Sequence, residues 1–214
     1  MYFIFHEYFT EDDLDWEACR QSIVLRSLKI NEGGLAEDKI KSLFPFKCKT
    51  EVVEVGEGDD IVEVLADTMA QCWYTYGEGG ARLYGDDWLS ADGNCFVCAR
   101  LKFGEDVLLE NRKIEIGDYL STTVYEDGET YLDYIYGKEP SEDIGALKEA
   151  IKETYFISNQ GDIFVMFVYV KGQRIGPESE PWKSLGTKQY LAIFPEKYSE
   201  RFLDTCTHIE TIPA

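Results

Sequence analysis

The sequence is poor in basic residues. It has 21 Lys and Arg against 41 Asp and Glu, which gives a formal net charge of −20. A field of this sign repels the phosphates of nucleic acids and the headgroups of anionic lipids. We therefore expect no nucleic-acid partner. An acidic protein that mimics DNA, and so covers the basic surface of another protein, stays open.

Histidine is scarce, and long apolar runs are missing. The two histidines, His6 and His208, have no neighbouring serine or cysteine in the pattern of an activated nucleophile. No apolar run is long enough to span a bilayer. Residues Met1 to Phe9 lack the basic start and the small-residue cleavage site of a signal peptide. Membrane attachment would therefore need an anchor that this chain lacks.

Internal repeats and low-complexity tracts are also missing. The chain has 214 residues, of which 44% are hydrophobic, so it is long and apolar enough to bury a core of its own. Residues 172–186, with two prolines and three glycines, resemble a linker. We predict a single domain over residues 1–214 that contains this linker-like loop.

A helix that begins after Asp60 is the most clearly encoded element. Asp60 and Glu63 have the spacing with which side chains cap the free amides of a first turn. The apolar residues that follow recur at helical spacing, so they share one face. They are Ile61, Leu65, Met69, Cys72 and Tyr76. Gly77, Gly79 and Gly80 are predicted to end the helix rather than to bind phosphate, because a phosphate-binding loop precedes its helix.

Several apolar segments have the character of strands. Predicted strands cover residues 46–55, 95–103, 163–170, 188–194 and 206–212. In residues 95–103 the odd-numbered side chains are predicted to share one face, while the uninterrupted apolar run 163–170 predicts a strand buried on both faces.

Helical patterns are found between these strands. They cover residues 10–19, 37–43, 114–124, 196–203 and a segment opened by Pro140. Residues 22–30 are ambiguous between helix and strand, and residues 131–136 are either a short helix or an aromatic docking segment. The predicted fold is α+β: a mainly antiparallel sheet with helices packed on one face, stapled by disulfides.

Six cysteines allow three disulfides. They are Cys19, Cys48, Cys72, Cys95, Cys98 and Cys206. Cys19 is predicted to meet Cys48, and helical Cys72 one member of the Cys95–Cys98 pair. The alternative is a zinc site made by Cys72, the pair, Cys206 and His208, but residues three apart in a strand face opposite sides. We favour disulfides and expect no metal or cofactor.

The loop from Gly77 to Asn94 carries the candidate binding residues. They are Tyr84, Asp86, Asp87, Trp88 and Asp92. Paired carboxylates beside an aromatic ring also occur in glycoside hydrolases and in calcium sites, so both alternatives stay open. Aromatic anchors and acids in a loop held by a rigid scaffold are typical of a surface that recognises a partner protein. The alternative is that Tyr84 and Trp88 pack into the core and that the acids are only solvated.

Several segments together resemble a group of uncharacterised archaeal proteins. The resemblance rests on the segments Cys19-Arg20-Gln21-Ser22-Ile23, Phe44 to Thr50, Cys72-Trp73-Tyr74 with Gly77-Glu78-Gly79, the Cys95 and Cys98 pair, Tyr131 to Tyr134, and Ile163 to Gly172. It implies a membrane-anchored protein whose cysteine-bearing part lies outside the cell. It implies no activity. This chain lacks the anchor and the apolar glycine-rich stretch of that pattern.

Two classes of function follow. The first is a non-enzymatic, extracytoplasmic or cell-surface domain with a binding or structural role, for which a protein partner is expected. The second is an intracellular acidic inhibitor that mimics DNA or neutralises a toxin. The redox state of the cysteines discriminates between the two classes, because disulfides persist in oxidising compartments.

Overall fold

A computed structural model describes residues 11–31, 47–78, 93–104, 113–126, 128–136, 156–157, 161–169, 189–195 and 206–210. The helices are α1 (Glu11–Asn31), α2 (Ile61–Thr75), α3 (Ile116–Thr122) and α4 (Tyr131–Tyr136). The strands are β1 (Glu51–Val55), β2 (Gly93–Phe103), β3 (Lys113–Ile114), β4 (Phe156–Ile157), β5 (Ile163–Tyr169), β6 (Gln189–Pro195) and β7 (Cys206–Glu210).

Helix α1 is longer than predicted. A single helix of 21 residues replaces the predicted short helix and the ambiguous segment after it. Its buried positions include Cys19, Ile23 and Arg26, which follow helical spacing although one of them is charged. Leu25, whose alternation with Ile23 suggested a strand, is 49% exposed. The apolar pattern was ambiguous because this helix buries polar side chains and exposes apolar ones.

Helix α2 forms as predicted. The Asp60 carboxylate accepts hydrogen bonds from the amides of Val62 and Glu63, which caps the first turn. All five residues of the predicted apolar face are buried. At the other end, the Glu78 amide donates to the Trp73 carbonyl and the Gly77 amide to the Tyr74 carbonyl, which is a Schellman ending. Gly77 has a φ of 80° there.

The sheet is mixed, so the prediction of a mainly antiparallel sheet was wrong. Strand β2 pairs antiparallel with β5, which pairs antiparallel with β6. Strands β1 and β7 both pair with β2 in parallel. Strand β1 lies beside residues Ala99 to Phe103 of β2, and β7 lies beside residues Gly93 to Phe96 of β2. Alternation of apolar residues marks strands, but it does not encode the direction of a partner strand. A separate small pair joins β3 and β4.

A β-bulge at Cys98 changes which side chains of β2 face the helices. Val97 is opposite Met166 and Ala99 is opposite Val165, so Cys98 has no counterpart in β5. Phe96, Cys98, Ala99 and Leu101 belong to the hydrophobic cluster that includes α2, whereas Cys95 and Val97 do not. The prediction that Cys95 and Val97 share a face with Ala99 was therefore wrong.

Strand β5 is the buried centre of the sheet, as its apolar run predicted. Val165 and Phe167 face the helices, and Met166 and Val168 on the other face are at most 2% exposed. On the helix side, Tyr76 of α2 stacks on Phe167 with ring centroids 4.7 Å apart. Side chains from α1, α2, α3, α4 and the sheet join in one hydrophobic cluster.

Three disulfides connect these elements. Cys19 of α1 bonds to Cys48, Cys72 of α2 bonds to Cys98 at the bulge, and Cys95 of β2 bonds to Cys206 of β7. The first pairing was predicted, and Cys98 is the partner that was left open for Cys72. The helix pattern of residues 114–124 and one reading of residues 131–136 correspond to α3 and α4. The helices predicted at residues 37–43, after Pro140 and at 196–203, and the linker-like residues 172–186, lie outside the described residues.

Candidate interaction surface

Four tyrosines form a continuous row on α3, α4 and the turn between them. We call Tyr119, Tyr125, Tyr131 and Tyr134 the tyrosine row. The ring centroids of Tyr134 and Tyr125 are 4.8 Å apart, those of Tyr125 and Tyr131 are 4.8 Å apart, and those of Tyr131 and Tyr119 are 5.9 Å apart. Tyr131 is buried, and the other three are partly exposed. Three members of the row are therefore accessible to solvent.

Helix α2 fixes the row through two tyrosine–carboxylate hydrogen bonds. The Tyr131 hydroxyl donates to the Asp67 carboxylate, and the Tyr134 hydroxyl donates to Glu78 Oε1 at 3.1 Å. Asp67 lies on α2, and Glu78 follows the helix end. Since Tyr131 and Tyr134 are three residues apart, they lie on the same side of α4. The two bonds hold α4 alongside α2.

The protonation of the row reflects burial and nearby negative charge. Burial is the main cause that raises the pKa of all four tyrosines above the ordinary tyrosine value. The carboxylates of Glu63, Asp67 and Asp60, in that order, further raise the pKa of Tyr119. For Tyr134, the second cause is the charge of Glu78. The tyrosine row therefore lies within reach of acidic side chains at both of its ends.

The two segments that carry α2 and the row have acids as their only charged residues. Residues 56–78 and residues 115–136 each contain six Asp or Glu and no Lys, Arg or His. Exposed acids among them include Asp60, Glu63, Asp67, Asp118 and Glu126. Val124, beside Tyr125 in the chain, is 60% exposed. We call this combination of the tyrosine row, these acids and Val124 the acidic tyrosine face.

One guanidinium group lies at the edge of this face. Arg20 of α1 places its guanidinium carbon 3.7 Å from the centroid of the Tyr74 ring and donates to the Tyr74 carbonyl. Its other terminal nitrogen lies 3.4 Å from Glu78 Oε2. Glu78 is the only non-glycine residue with a positive φ, 54°, in the described part of the chain. Its carboxylate therefore joins α1, the end of α2 and α4.

The structure pairs the six cysteines as disulfides, which removes the thiolates that a zinc site needs. Cys95 and Cys98 bond to different partners, as expected for side chains on opposite sides of a strand. In the described ranges, no group of three or more His, Cys, Asp or Glu side chains is arranged to hold a metal ion. No helix within those ranges is long and apolar enough to cross a membrane.

The binding residues predicted from the sequence, Tyr84, Asp86, Asp87, Trp88 and Asp92, lie outside the described residues. Their role stays a prediction. The loop that carries them starts at Gly77 and Glu78, and Glu78 contacts the tyrosine row through Tyr134. The sequence did not identify the row, because its members are brought together by packing. The sequence does show one feature of this region, which is the lack of Lys, Arg and His in residues 56–78 and 115–136.

A scan against protein-family models, a search of curated proteins and a search of solved structures find no match to this chain. The resemblance to archaeal anchored proteins therefore stays a prediction. The three disulfides indicate an oxidising environment, since cytosolic thiols are normally kept reduced.

Proposed function

We propose that this chain is a non-enzymatic domain that works outside the cytoplasm, or at the cell surface, and binds a partner protein. The observation that carries the proposal is the complete pairing of six cysteines, each bridge joining a different pair of segments. All six cysteines are at most 6% exposed. Buried bridges that connect separate elements stabilise a scaffold, whereas redox-active cysteines are accessible to their partners.

The acidic tyrosine face supports the binding role. Tyrosine contributes a large apolar ring with little conformational entropy to lose, and it is enriched where proteins bind each other. Here three partly exposed tyrosines lie beside exposed Val124 and acids without interspersed bases. Such a face fits a partner whose surface is basic and partly apolar. The loop from Gly77 to Asn94 begins at the same place, and we expect it to extend the binding surface.

The acidic character of this face also favours the second function, an intracellular acidic inhibitor that mimics DNA. Both functions use carboxylates against a basic surface, so the compartment and not the surface chemistry distinguishes them. In the cytosol, thioredoxin and glutathione would keep the cysteines reduced. The disulfides therefore favour the extracytoplasmic domain.

Alkylation followed by intact-mass measurement tests the proposal. Protein purified from its native source is denatured with iodoacetamide present, once without and once with prior reduction. We expect no alkylated cysteine without reductant and six after reduction. Six alkylated cysteines without reductant would rule out the extracytoplasmic function and favour the acidic inhibitor. The same material fractionated into cytosol and cell exterior gives an independent readout of the compartment.

A further inference from the structure

Two arginines of this chain each contact an aromatic ring and a carboxylate of the same chain. Arg20 stacks on Tyr74 and approaches Glu78, and Arg100 lies 5.6 Å from the Phe164 ring while its Nε donates to Asp162. A planar guanidinium suits this arrangement, since its faces contact a ring while its edge donates hydrogen bonds in the plane. Both arrangements are intramolecular.

The opposite end of the tyrosine row also combines an aromatic ring with carboxylates, and none of the described arginines stacks on it. Tyr119 is partly exposed there, and its ring centroid lies 5.9 Å from that of Tyr131, whose hydroxyl donates to Asp67. Glu63 lies one helical turn before Asp67 on α2, so both carboxylates are near this end of the row. The carboxylates of Glu63, Asp67 and Asp60 also raise the pKa of Tyr119. Among the described residues, none of these three acids forms an ion pair. Asp60 accepts two amides of α2, and Asp67 accepts the Tyr131 hydroxyl on one oxygen. Glu63 and the second oxygen of Asp67 are therefore the acceptors available to a ligand.

We propose that the acidic tyrosine face docks an arginine-bearing segment of a partner protein, with one arginine seated on Tyr119 between Glu63 and Asp67. This inference rests on the proposed binding function and names the chemistry of its partner. Charge complementarity requires a cationic segment. The partly exposed ring of Tyr119 selects arginine over lysine, because a guanidinium is less strongly hydrated than an ammonium and stacks on aromatic faces. Exposed Val124 gives the same segment an apolar contact.

The test uses the whole chain with its disulfides intact and two fluorescent peptides, one with four arginines and one with four lysines in otherwise identical sequences. Binding is measured by fluorescence anisotropy at low and at physiological salt. The proposed arginine site is changed in a Glu63→Gln, Asp67→Asn variant, which we call the seat variant. Both new side chains have the size of the original ones, and the amide oxygen at position 67 can still accept from Tyr131. The matched control, Asp15→Asn with Glu54→Gln, removes two exposed charges from outside the face. Circular dichroism confirms that both variants remain folded.

We expect the arginine peptide to bind more tightly than the lysine peptide. The seat variant should weaken arginine binding by about tenfold or more, and the control by less than about twofold. Tyr119→Phe should retain binding because the ring remains, and Tyr119→Leu should lose it. Equal weakening by both charge variants, or equal affinity for the two peptides, would overturn the proposal. The native cysteines could prove reduced while the seat variant alone weakens arginine binding. That result would overturn the proposed extracytoplasmic location but would support this inference.

Discussion

At the scale of single residues, Glu78 departs most clearly from local preference. Its φ of 54° lies in the left-handed region, which residues other than glycine, asparagine and aspartate seldom adopt. The preceding Gly77 already provides the left-handed residue that a Schellman ending needs. Glu78 is held there by Arg20 and Tyr134, which contact its two carboxylate oxygens. The side chain thus offsets a backbone cost by connecting three helices.

Substitutions at Glu78 separate these two contributions. Both Glu78→Ala and Glu78→Gly remove the carboxylate, but only glycine relieves the left-handed backbone. We therefore expect the glycine variant to be more stable than the alanine variant by about 1 kcal/mol in urea denaturation. Glu126, an exposed loop residue without a positive φ, is the control, and there the order should reverse. An alanine variant at position 78 as stable as the glycine variant would contradict the backbone argument.

The raised pKa values in the tyrosine row predict a loss of stability in alkaline solution. For Tyr131 and Tyr134, burial and then the acceptor carboxylates raise the pKa of the folded state above the unfolded value of about 10. The unfolded chain therefore releases these protons first as pH rises. Stability is fully present below about pH 10 and declines above it.

Urea midpoints measured from about pH 8 to pH 11.5 should record this decline. In a Tyr131→Phe, Tyr134→Phe variant, the slope above pH 10 should be shallower, because two titrating groups are gone. Spectrophotometric titration of the phenolates provides the control, since the wild type should retain protonated tyrosines to higher pH than a denatured sample. Identical slopes for variant and wild type would contradict the assignment.

At the scale of elements, one extra residue in β2 decides which of its side chains face helix α2. The bulge at Cys98 places Cys98 and Ala99 on the same face, so Cys98 reaches Cys72 of α2 while Cys95 faces the other way toward Cys206. Thr50 completes this region by donating its hydroxyl to the Val97 carbonyl at 2.9 Å. The two faces of one strand are thereby linked to a helix and to the C-terminal strand.

The three bridges should differ in how much they stabilise the fold. The sequence separations are 29 residues for Cys19–Cys48, 26 for Cys72–Cys98 and 111 for Cys95–Cys206. In the chain-entropy model, the shorter loops are worth about 3.5 kcal/mol and the longest about 4.7 kcal/mol. We expect the Cys95→Ala, Cys206→Ala variant to lose about 1 kcal/mol more than the Cys19→Ala, Cys48→Ala variant, as measured by urea denaturation.

Alanine is used in both variants because all four cysteines are buried and serine would add an unpaired hydroxyl. Reduced wild type is the control, and it should be less stable than either variant, since it lacks all three bridges. A larger loss from the Cys19–Cys48 pair would mean that loop length does not dominate the difference.

At the scale of the whole molecule, self-repulsion is the main electrostatic feature. The net charge of −20 is unevenly distributed, since residues 56–78 and 115–136 carry acids only. These segments lie together around the tyrosine row, where the Tyr131 hydroxyl donates to Asp67 of α2. Folding concentrates the repulsion in one region, and a cationic partner would relieve it.

Added salt should therefore stabilise this protein. Raising NaCl from about 0.02 M to about 0.5 M shortens the Debye length to a few ångströms and screens the acidic face. We expect the melting temperature to rise by several degrees in differential scanning calorimetry. Glu126→Lys is the comparison. Its melting temperature should exceed that of the wild type at low salt, and the difference should shrink at high salt. A melting temperature that falls with NaCl would contradict dominant repulsion.

The sequence by itself determined the elements whose signals are local. The cap at Asp60, the apolar face of α2, the buried run of β5 and the Cys19–Cys48 pairing were all predictable, because each depends on neighbours in the chain or on a single short connection. Composition also determined the acidic character and the segments without bases. The length of α1 was not predictable, since its buried face includes Arg26 and its exposed face includes Leu25.

Only the tertiary structure decided the rest. Contacts between distant segments determine the parallel pairing of β1 and β7 with β2. They also determine the bulge that places Cys95 on the face opposite Ala99, and the disulfide between Cys72 and Cys98. The same holds for the tyrosine row and for the contact of Arg20 with Glu78, which is 58 residues away. Side-chain periodicity encodes which residues are buried, but the partner across the core is selected by packing of the whole chain.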